Sequence, residues 1–435
     1  MRNRKRLGAM LLAAAMTATL MTGCGSEGGS AEGAKAGDGA KTESTASAGT
    51  DTAAAEVQDV TLKIWVPEEA VEDTDLAVKA FDEAHAEFNI TYEIAVVGID
   101  EAPAQVETDA DTAADIFYVP SGGVADMVGK GLLLPIAKDF DQIENDLPES
   151  ALTAVTVEGL HYAVPFSPNT YFMYYNKDLY TEEEVKSLDT MMAKDLGEGK
   201  WNFSTQMTNS WYAESFFLDN GCTLFGEDGK DASDCTFNNA NGLASGKYMI
   251  ALAGNPKYLE DIDGVAGSAF KDGNLGAVTT GAWSAPEFRE VLGDKLGAVA
   301  LPTVTIGGKT IQLSNFVDFK TIAVKSNTAY PLAAQQLAVY LGSPECALRR
   351  FTNEGDVPVL KSLAESEEIK NDFVASALND QAALATNQPS IPQMGSYWDP
   401  MKAFGDGIYY GEITEANLQE QLDALVDSVT ATLTN

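Results

Sequence analysis

A chain of 435 residues with 28 Lys and Arg against 65 Asp and Glu, a formal charge of −37 at pH 7, repels phosphate backbones and anionic lipid, so nucleic acid and a bare membrane surface are excluded as partners. With 45% apolar and 9% aromatic residues it can build sizeable cores, and at this length two domains are expected rather than one. The two histidines, His85 and His161, lie far apart, no His–Cys ligand spacing exists, and neither a metal nor another cofactor is expected.

Taken in chain order, Arg2, Arg4, Lys5 and Arg6 precede an apolar run over 7–20 that is too short for a stable membrane anchor and has the make-up of an export signal. The run closes on Leu20-Met21-Thr22-Gly23-Cys24, which resembles the lipobox of bacterial lipoproteins: small residues before a cysteine that is acylated and becomes the new N-terminus. A signal over 1–23 and a lipid on Cys24 are what that resemblance implies. Without the four basic residues of the signal the balance is 24 − 65, or −41. Residues 24–57 are dominated by Gly, Ala, Ser, Thr and acidic residues with no aromatic side chain, a composition that cannot bury a core and behaves as a tether.

Residues 60–66 (VTLKIWV) alternate as a strand does, 73–88 place Leu76, Ala80, Phe81 and Ala84 at helical spacing, and 90–97 form a second strand. Strand, helix, strand argues for a parallel sheet. A second such unit follows, with a helix over 101–109, a strand over 115–119, a Ser121-Gly122-Gly123 turn and a helix reaching Gly131. Ligands of such sheets gather at the carboxyl ends of the strands, which brings Glu68, Glu69, Asp100, Ser121 and Gly122 to one rim.

The stretch 159–178 (GLHYAVPFSPNTYFMYYNKD) organises the rest. Pro165 and Pro168 lack a ladder donor, so the sheet is expected to end near Val164 and the aromatic strand 171–175 to start a second domain. The crossing between them would line an interdomain cleft, a preferred place for a small ligand. Beyond it come an acidic helical segment (181–196) and a helix opened by Thr208-Asn209-Ser210-Trp211-Tyr212, whose free backbone N–H groups lie beside aromatic rings. Cys222 and Cys235 flank a Gly-Asp turn, and their positions suit either a hairpin disulfide or two free buried thiols. Residues 269–283 (AFKDGNLGAVTTGAW) read as a helix end, a turn, a buried strand and Trp283 at its tip. A strand over 296–302, a return through the interface over 316–324, helices over 332–340 and 344–351, the segment 391–398 (IPQMGSYW) and an amphipathic helix over 416–433 complete the chain.

Four ordered segments carry a family resemblance: DIFYV with GLLLPI, YAVPF with YYNKDL, AFKDGN with TTGAW, and IPQMGSYW. In order and spacing they resemble the maltose- and maltodextrin-binding branch of the extracellular solute-binding proteins that feed ABC importers. The resemblance implies an α/β, two-lobed periplasmic-binding-protein-like fold of type II, its ligand cleft between lobes joined by about three hinge crossings. It divides the chain into an N-terminal lobe of 58–167 and 319–367 and a C-terminal lobe of 168–318 and 368–435. The function implied is capture of maltose or maltodextrin-type α-glucans by a monomeric lipoprotein on the outer face of the cell membrane, touching the membrane only through its lipid. Such a protein, in a Gram-positive-type bacterium, would deliver the sugar to the permease subunits of an ABC importer and would not be an enzyme. A binding protein for another oligosaccharide or solute class is the alternative; a glycoside hydrolase, which needs a carboxylate pair in the cleft, fits less well.

Trp283 and Trp398 match two tryptophans whose faces stack on glucose units, and Trp211 with Tyr212 match a Tyr-Phe pair that does the same; the apolar C–H face of a pyranose suits an aromatic plane. Asn169 and Asn209 stand where the family carries carboxylates, and an amide still serves hydroxyls. Lys402 matches an arginine, exchanging a planar fork for a point donor. Val119, Gly122 and Gly123 occupy positions where the family has Trp, Asp and Arg, so hydroxyl acceptors on the first lobe are expected from Glu69 and Asp100 (or Glu101), with Ser121 beside them.

Overall fold

A computed structural model describes residues 57–432 of the chain. The export signal, Cys24 and all but the last residue of the tether lie outside the described residues, and the final helix, expected over 416–433, runs over Leu418–Val429 with Thr430 past its end.

The strand Gln58–Val66 pairs in parallel with Phe88–Val96 on one side and with Ile116–Pro120 on the other. Its alternation is the reason: Val60, Leu62, Ile64 and Val66 point into one core, while Thr61 and Lys63 point to solvent. The helix Val71–Ala84 covers that core through Ala77, Val78 and Phe81. It begins two residues earlier than the periodicity suggested, and Leu76 is exposed. Removing side chains of this size from water stabilises by about 2 kcal/mol each. Ile116–Pro120 is buried on both faces, with Ile116 and Tyr118 in the first core and Phe117 and Val119 in another beneath the helices Ala102–Thr108 and Val124–Gly129.

Two further strands close this sheet. Phe316–Val324 runs antiparallel to Ile116–Pro120, and Ala163–Asn169 runs antiparallel to Phe316–Val324. The expectation that the prolines end the sheet near Val164 is corrected here. The strand continues through Pro165 and Pro168, because it pairs on one side only and its register shifts between Lys320 and Thr321, so neither missing N–H is needed. The parallel pair Thr386–Asn387 joins the beginning of Phe316–Val324.

The chain enters a second sheet at Tyr171–Asn176, as the aromatic run suggested. The strand order is Leu296–Val299, Tyr171–Asn176, Leu275–Gly281, Trp201–Thr205, Tyr258–Glu260. Tyr171, Met173 and Tyr175 face one core; Phe172 and Tyr174 face another. Both sheets are covered by helices on both faces, the two-lobed α/β arrangement. Stretches that run between the two sets of cores include Asn169–Tyr171, the start of Phe316–Val324, and the segment between Leu360, in the first, and Ile369, in the second. Cys222 and Cys235 are buried free thiols where the backbones of Leu224 and Cys235 pair antiparallel, and burial raises them to about 12 and about 11. Of the two readings open from sequence, the structure carries the unbridged one.

Candidate functional site

On the second sheet's side, aromatic rings are set by two helix starts. Asn209 has extended backbone, and its Oδ1 accepts the Trp211 N–H at 2.9 Å, so the short helix Ser210–Ala213 begins there and carries Trp211 and Tyr212 in its first turn. The helix Trp398–Tyr409 begins beside it. Ser210 Oγ donates to the Trp398 carbonyl at 2.7 Å, and the Tyr397 hydroxyl donates to the Ser210 carbonyl at 3.0 Å. These bonds bring the Trp211 and Trp398 ring centroids to 6.3 Å at 38°, while Tyr212 leans on Tyr171 at 4.4 Å. Trp211, Tyr212 and Trp398 are each half-buried, packed on one side and open on the other.

Trp283 occupies the turn Ala282–Ser284 at the tip of Leu275–Gly281. Its ring folds back over Gly281, and the Lys320 ammonium lies over it, 5.4 Å from the centroid. Trp283 therefore supports a lysine as well as offering an apolar surface. A cavity of about 250 Å³ lined by Ala285, Pro286, Arg289, Phe351 and Gly355 lies by the helix that follows. It is smaller than the roughly 300 Å³ at which small-molecule pockets begin, and none of these aromatic rings lines it.

The rim of the first sheet carries the other polar candidates. Glu69 and Asp100 are exposed, at the carboxyl ends of Gln58–Val66 and Phe88–Val96. Asp100 is open to solvent yet crowded, and desolvation raises its carboxyl although Lys320 pulls it down. It in turn acts on Tyr212, whose phenol is pushed up mainly by burial, so a first-sheet rim residue and a second-sheet ring share one electrostatic environment.

Between the aromatic rings and this rim runs Phe316–Val324, with Asp318 and Lys320 two residues apart and on one face. Asp318 Oδ1 accepts from Asn169 Nδ2 at 2.7 Å, and Oδ2 accepts the Gly122 N–H at 3.2 Å. Desolvation outweighs both bonds and lifts this carboxyl to about 7, with Asp100 adding to the rise. Burial alone would lower Lys320, but Asp356 at 2.6 Å, with Glu69 beyond it, holds the ammonium above its ordinary value. Gly355, at φ 79°, ends the helix Pro344–Glu354 and turns the chain so that Asp356 reaches this lysine.

Among the sequence-based candidates, the structure brings together Trp211, Tyr212 and Trp398, and separately Trp283 with Lys320 and the carboxylates Glu69 and Asp100. Asn169 lies at the seam with its amide engaged on Asp318. Three candidates are spent elsewhere. Asn209 caps a helix and donates to Gln206 at 3.2 Å. Ser121 is buried and accepts the Phe319 N–H at 3.0 Å. Lys402 pairs with Asp406 one turn on, at 2.7 Å, on an exposed helix face. Sequence reasoning passed over Asp318, Lys320, Asp356 and Gln388. Two charges alternating inside the otherwise apolar FVDFKTIAV could have flagged the first two, because a buried strand tolerates charge only where it is paired. Among the described residues no three His, Cys, Asp or Glu side chains converge as metal ligands would.

A family profile described as bacterial extracellular solute-binding protein matches residues 77–375. A galactooligosaccharide-binding protein of Bacillus subtilis is 27% identical over 359 residues, covering 78% of this chain and 82% of that protein. A maltooligosaccharide ABC transporter solute-binding lipoprotein of Streptococcus pneumoniae is 24% identical, covering 82% of this chain and 85% of its own length. Among solved structures, the ligand-free maltodextrin-binding protein of L. casei BL23 superposes with a TM-score of 0.74 at 25% identity, over 86% of this chain and all of that one.

Proposed function

The chain belongs to the bacterial extracellular solute-binding proteins, and on that premise we propose that it captures an oligosaccharide of maltodextrin type and passes it to an ABC sugar importer. The observation that carries this reading is the half-buried wall of Trp211, Tyr212 and Trp398 together with a polar rim of Glu69, Asp100 and Lys320. An aromatic face buries the C–H side of a pyranose, and the rim exchanges hydrogen bonds with its hydroxyls. The lobes are taken as 58–167 with 319–367 and 168–318 with 368–435. A lipid on Cys24 would tether them to the outer face of the membrane, as the naming of the Streptococcus pneumoniae relative as a lipoprotein supports.

Hydrolysis of the same glycan is disfavoured by the carboxyls themselves. Asp318 is buried with both oxygens engaged, so it cannot reach a glycosidic oxygen, and Asn169 and Asn209 are amides that cannot serve as the acid pair. The test is calorimetric titration of the folded protein with maltotriose, a galactooligosaccharide, a peptide mixture and divalent metals. Binding of maltotriose is expected, with Trp398→Ala weakening it by more than about tenfold, the scale of a buried aromatic anchor. Affinity for the galactooligosaccharide alone would move the reading to another glycan. Binding only of peptide or metal, or release of glucose from maltotriose at stoichiometric protein, would overturn it.

A further inference from the structure

The rim at 119–123 offers a ligand little: Val119 is buried in a core, Ser121 is spent on the backbone of Phe319, and two glycines supply no side chain. The space that a side chain at 122 would need is filled instead by Gln388. A Cβ on Gly122 would run into the Gln388 amide. Gln388 is held there by its own backbone, whose N–H donates to the Val317 carbonyl at 3.1 Å just past the Thr386–Asn387 pairing. The side chain is half-buried, and its amide has no hydrogen-bond partner among the described residues. Asp318 receives the N–H of the same Gly122, so the amide lies beside the cleft floor.

Two residues along the strand, the Lys320 ammonium has one recorded acceptor, Asp356, for its three N–H groups, and it stands over Trp283. Lys320 is buried, where an unused donor is costly to leave so unless a ligand takes it up, and the half-buried Gln388 amide is open to the same ligand.

We propose that Lys320 and Gln388 are the principal sugar-contacting residues along the strand 316–324 at the edge of the first sheet, donating to hydroxyl and ring oxygens of the bound sugar. They replace, from the strand 316–324 and the segment after 387, the contacts that the 119–123 rim lacks. The inference rests on the oligosaccharide reading.

Two variants probe Gln388 from opposite directions. Gln388→Ala removes the amide; Gly122→Ala keeps it but pushes it aside, at a position whose backbone is not left-handed. Lys320→Met is made together with Asp356→Asn, so that no buried charge is left unpaired. Calorimetry with maltotriose should show each Gln388-directed variant binding about threefold to tenfold more weakly, and the double variant weaker by about tenfold or more, in line with neutral and charge-assisted hydrogen bonds. The melting temperature of the unliganded Gln388→Ala and Gly122→Ala proteins should stay near that of the wild type. Wild-type affinity in both of those variants, with or without lowered stability, overturns the inference and leaves the oligosaccharide reading standing. Failure of the wild type itself to bind any glycan removes that reading, and this inference with it.

Discussion

Asp318 shows how one residue can join stability to the site. Its carboxyl titrates near 7 in the folded chain, against about 4 when unfolded, because burial outweighs the bonds from Asn169 and Gly122. A raised carboxyl binds its proton more tightly in the folded state, so it lowers stability progressively as pH rises from about 4 to about 7 and contributes a constant penalty above that. Asp100 reinforces this and Lys320 opposes it. Asp318→Asn carries no titrating proton. Melting temperatures across pH 4 to 8 should show the wild type losing ground relative to the variant through this window; a difference that stays level with pH would sink the assignment. Glu214 shares this direction without sharing the site. It is fully buried behind Tyr171, one oxygen accepts from the Tyr171 hydroxyl at 3.3 Å and the Phe316 N–H at 3.4 Å, and burial pushes it well above the carboxylate range. A neutral acid there avoids the cost of an isolated buried charge.

At the scale of elements, the strand Phe316–Val324 does two jobs. Ile322 and Val324 pack in the first core and Phe316 in the second, so the strand belongs to both sheets' surroundings, while Asp318 and Lys320 present polar groups at the seam between them. Its neighbour Ala163–Asn169 tolerates two prolines because it sits at an edge, and the register shift opposite Phe166 relieves the pairing. The helix Pro344–Glu354 is less apolar than its burial demands. Arg350 is buried with its guanidinium 4.6 Å from the Phe166 ring, and Glu354 is lifted to about 9 by burial and by Asp356. That helix anchors the first lobe and delivers Asp356 to Lys320 through the Gly355 turn, so its polar inner face connects the lobe's interior to the cleft floor. The two helix starts at Asn209 and Tyr397 act as mounts, fixing with hydrogen bonds three half-buried rings that also pack against the second core.

For the molecule as a whole, the proposed site is divided. Trp211, Tyr212, Trp283 and Trp398 belong with the second sheet; Glu69 and Asp100 belong with the first. Neither set surrounds a sugar alone, so ligand binding should draw the lobes together about the stretches near 169–171, 316–318 and 360–369. Small-angle scattering with saturating maltotriose should give a smaller radius of gyration than the unliganded protein, and an unchanged radius at proven saturation would rule closure out. The other whole-molecule expectation concerns Cys24. If that cysteine carries the lipid, Cys24→Ala should move the protein from the membrane fraction to the medium, whereas wild-type protein already free of washed cells would refute the anchor.

The parallel strands and helix of the first sheet and the chain's entry into the second at 171–176 were legible in local pattern, whereas the strands Trp201–Thr205 and Tyr258–Glu260 and the helices Ala240–Ala253 and Phe373–Leu384 were passed over and the first sheet's edge strand was ended too early. Alternation in VTLKIWV, the apolar run IFYV and the aromatic run YFMYY each report the faces a segment buries, and that information sits within a few residues. Aromatic placement was legible too, since Trp283 at a strand tip and Trp211 in a first turn follow from the same punctuation. The polar half of the site was not. Asn209 and Ser121 have the right chemistry for a ligand, and only the folded chain gave their oxygens to the N–H groups of Trp211 and Phe319. Asn169 meets Asp318 across 149 residues of sequence, Ser121 meets Phe319 across 198, and Lys320 meets Asp356 across 36. Periodicity is a property of neighbours along the chain and determined the elements. Which donors and acceptors remain free to meet a ligand depends on partners brought from far away, and that was decided only by the tertiary structure.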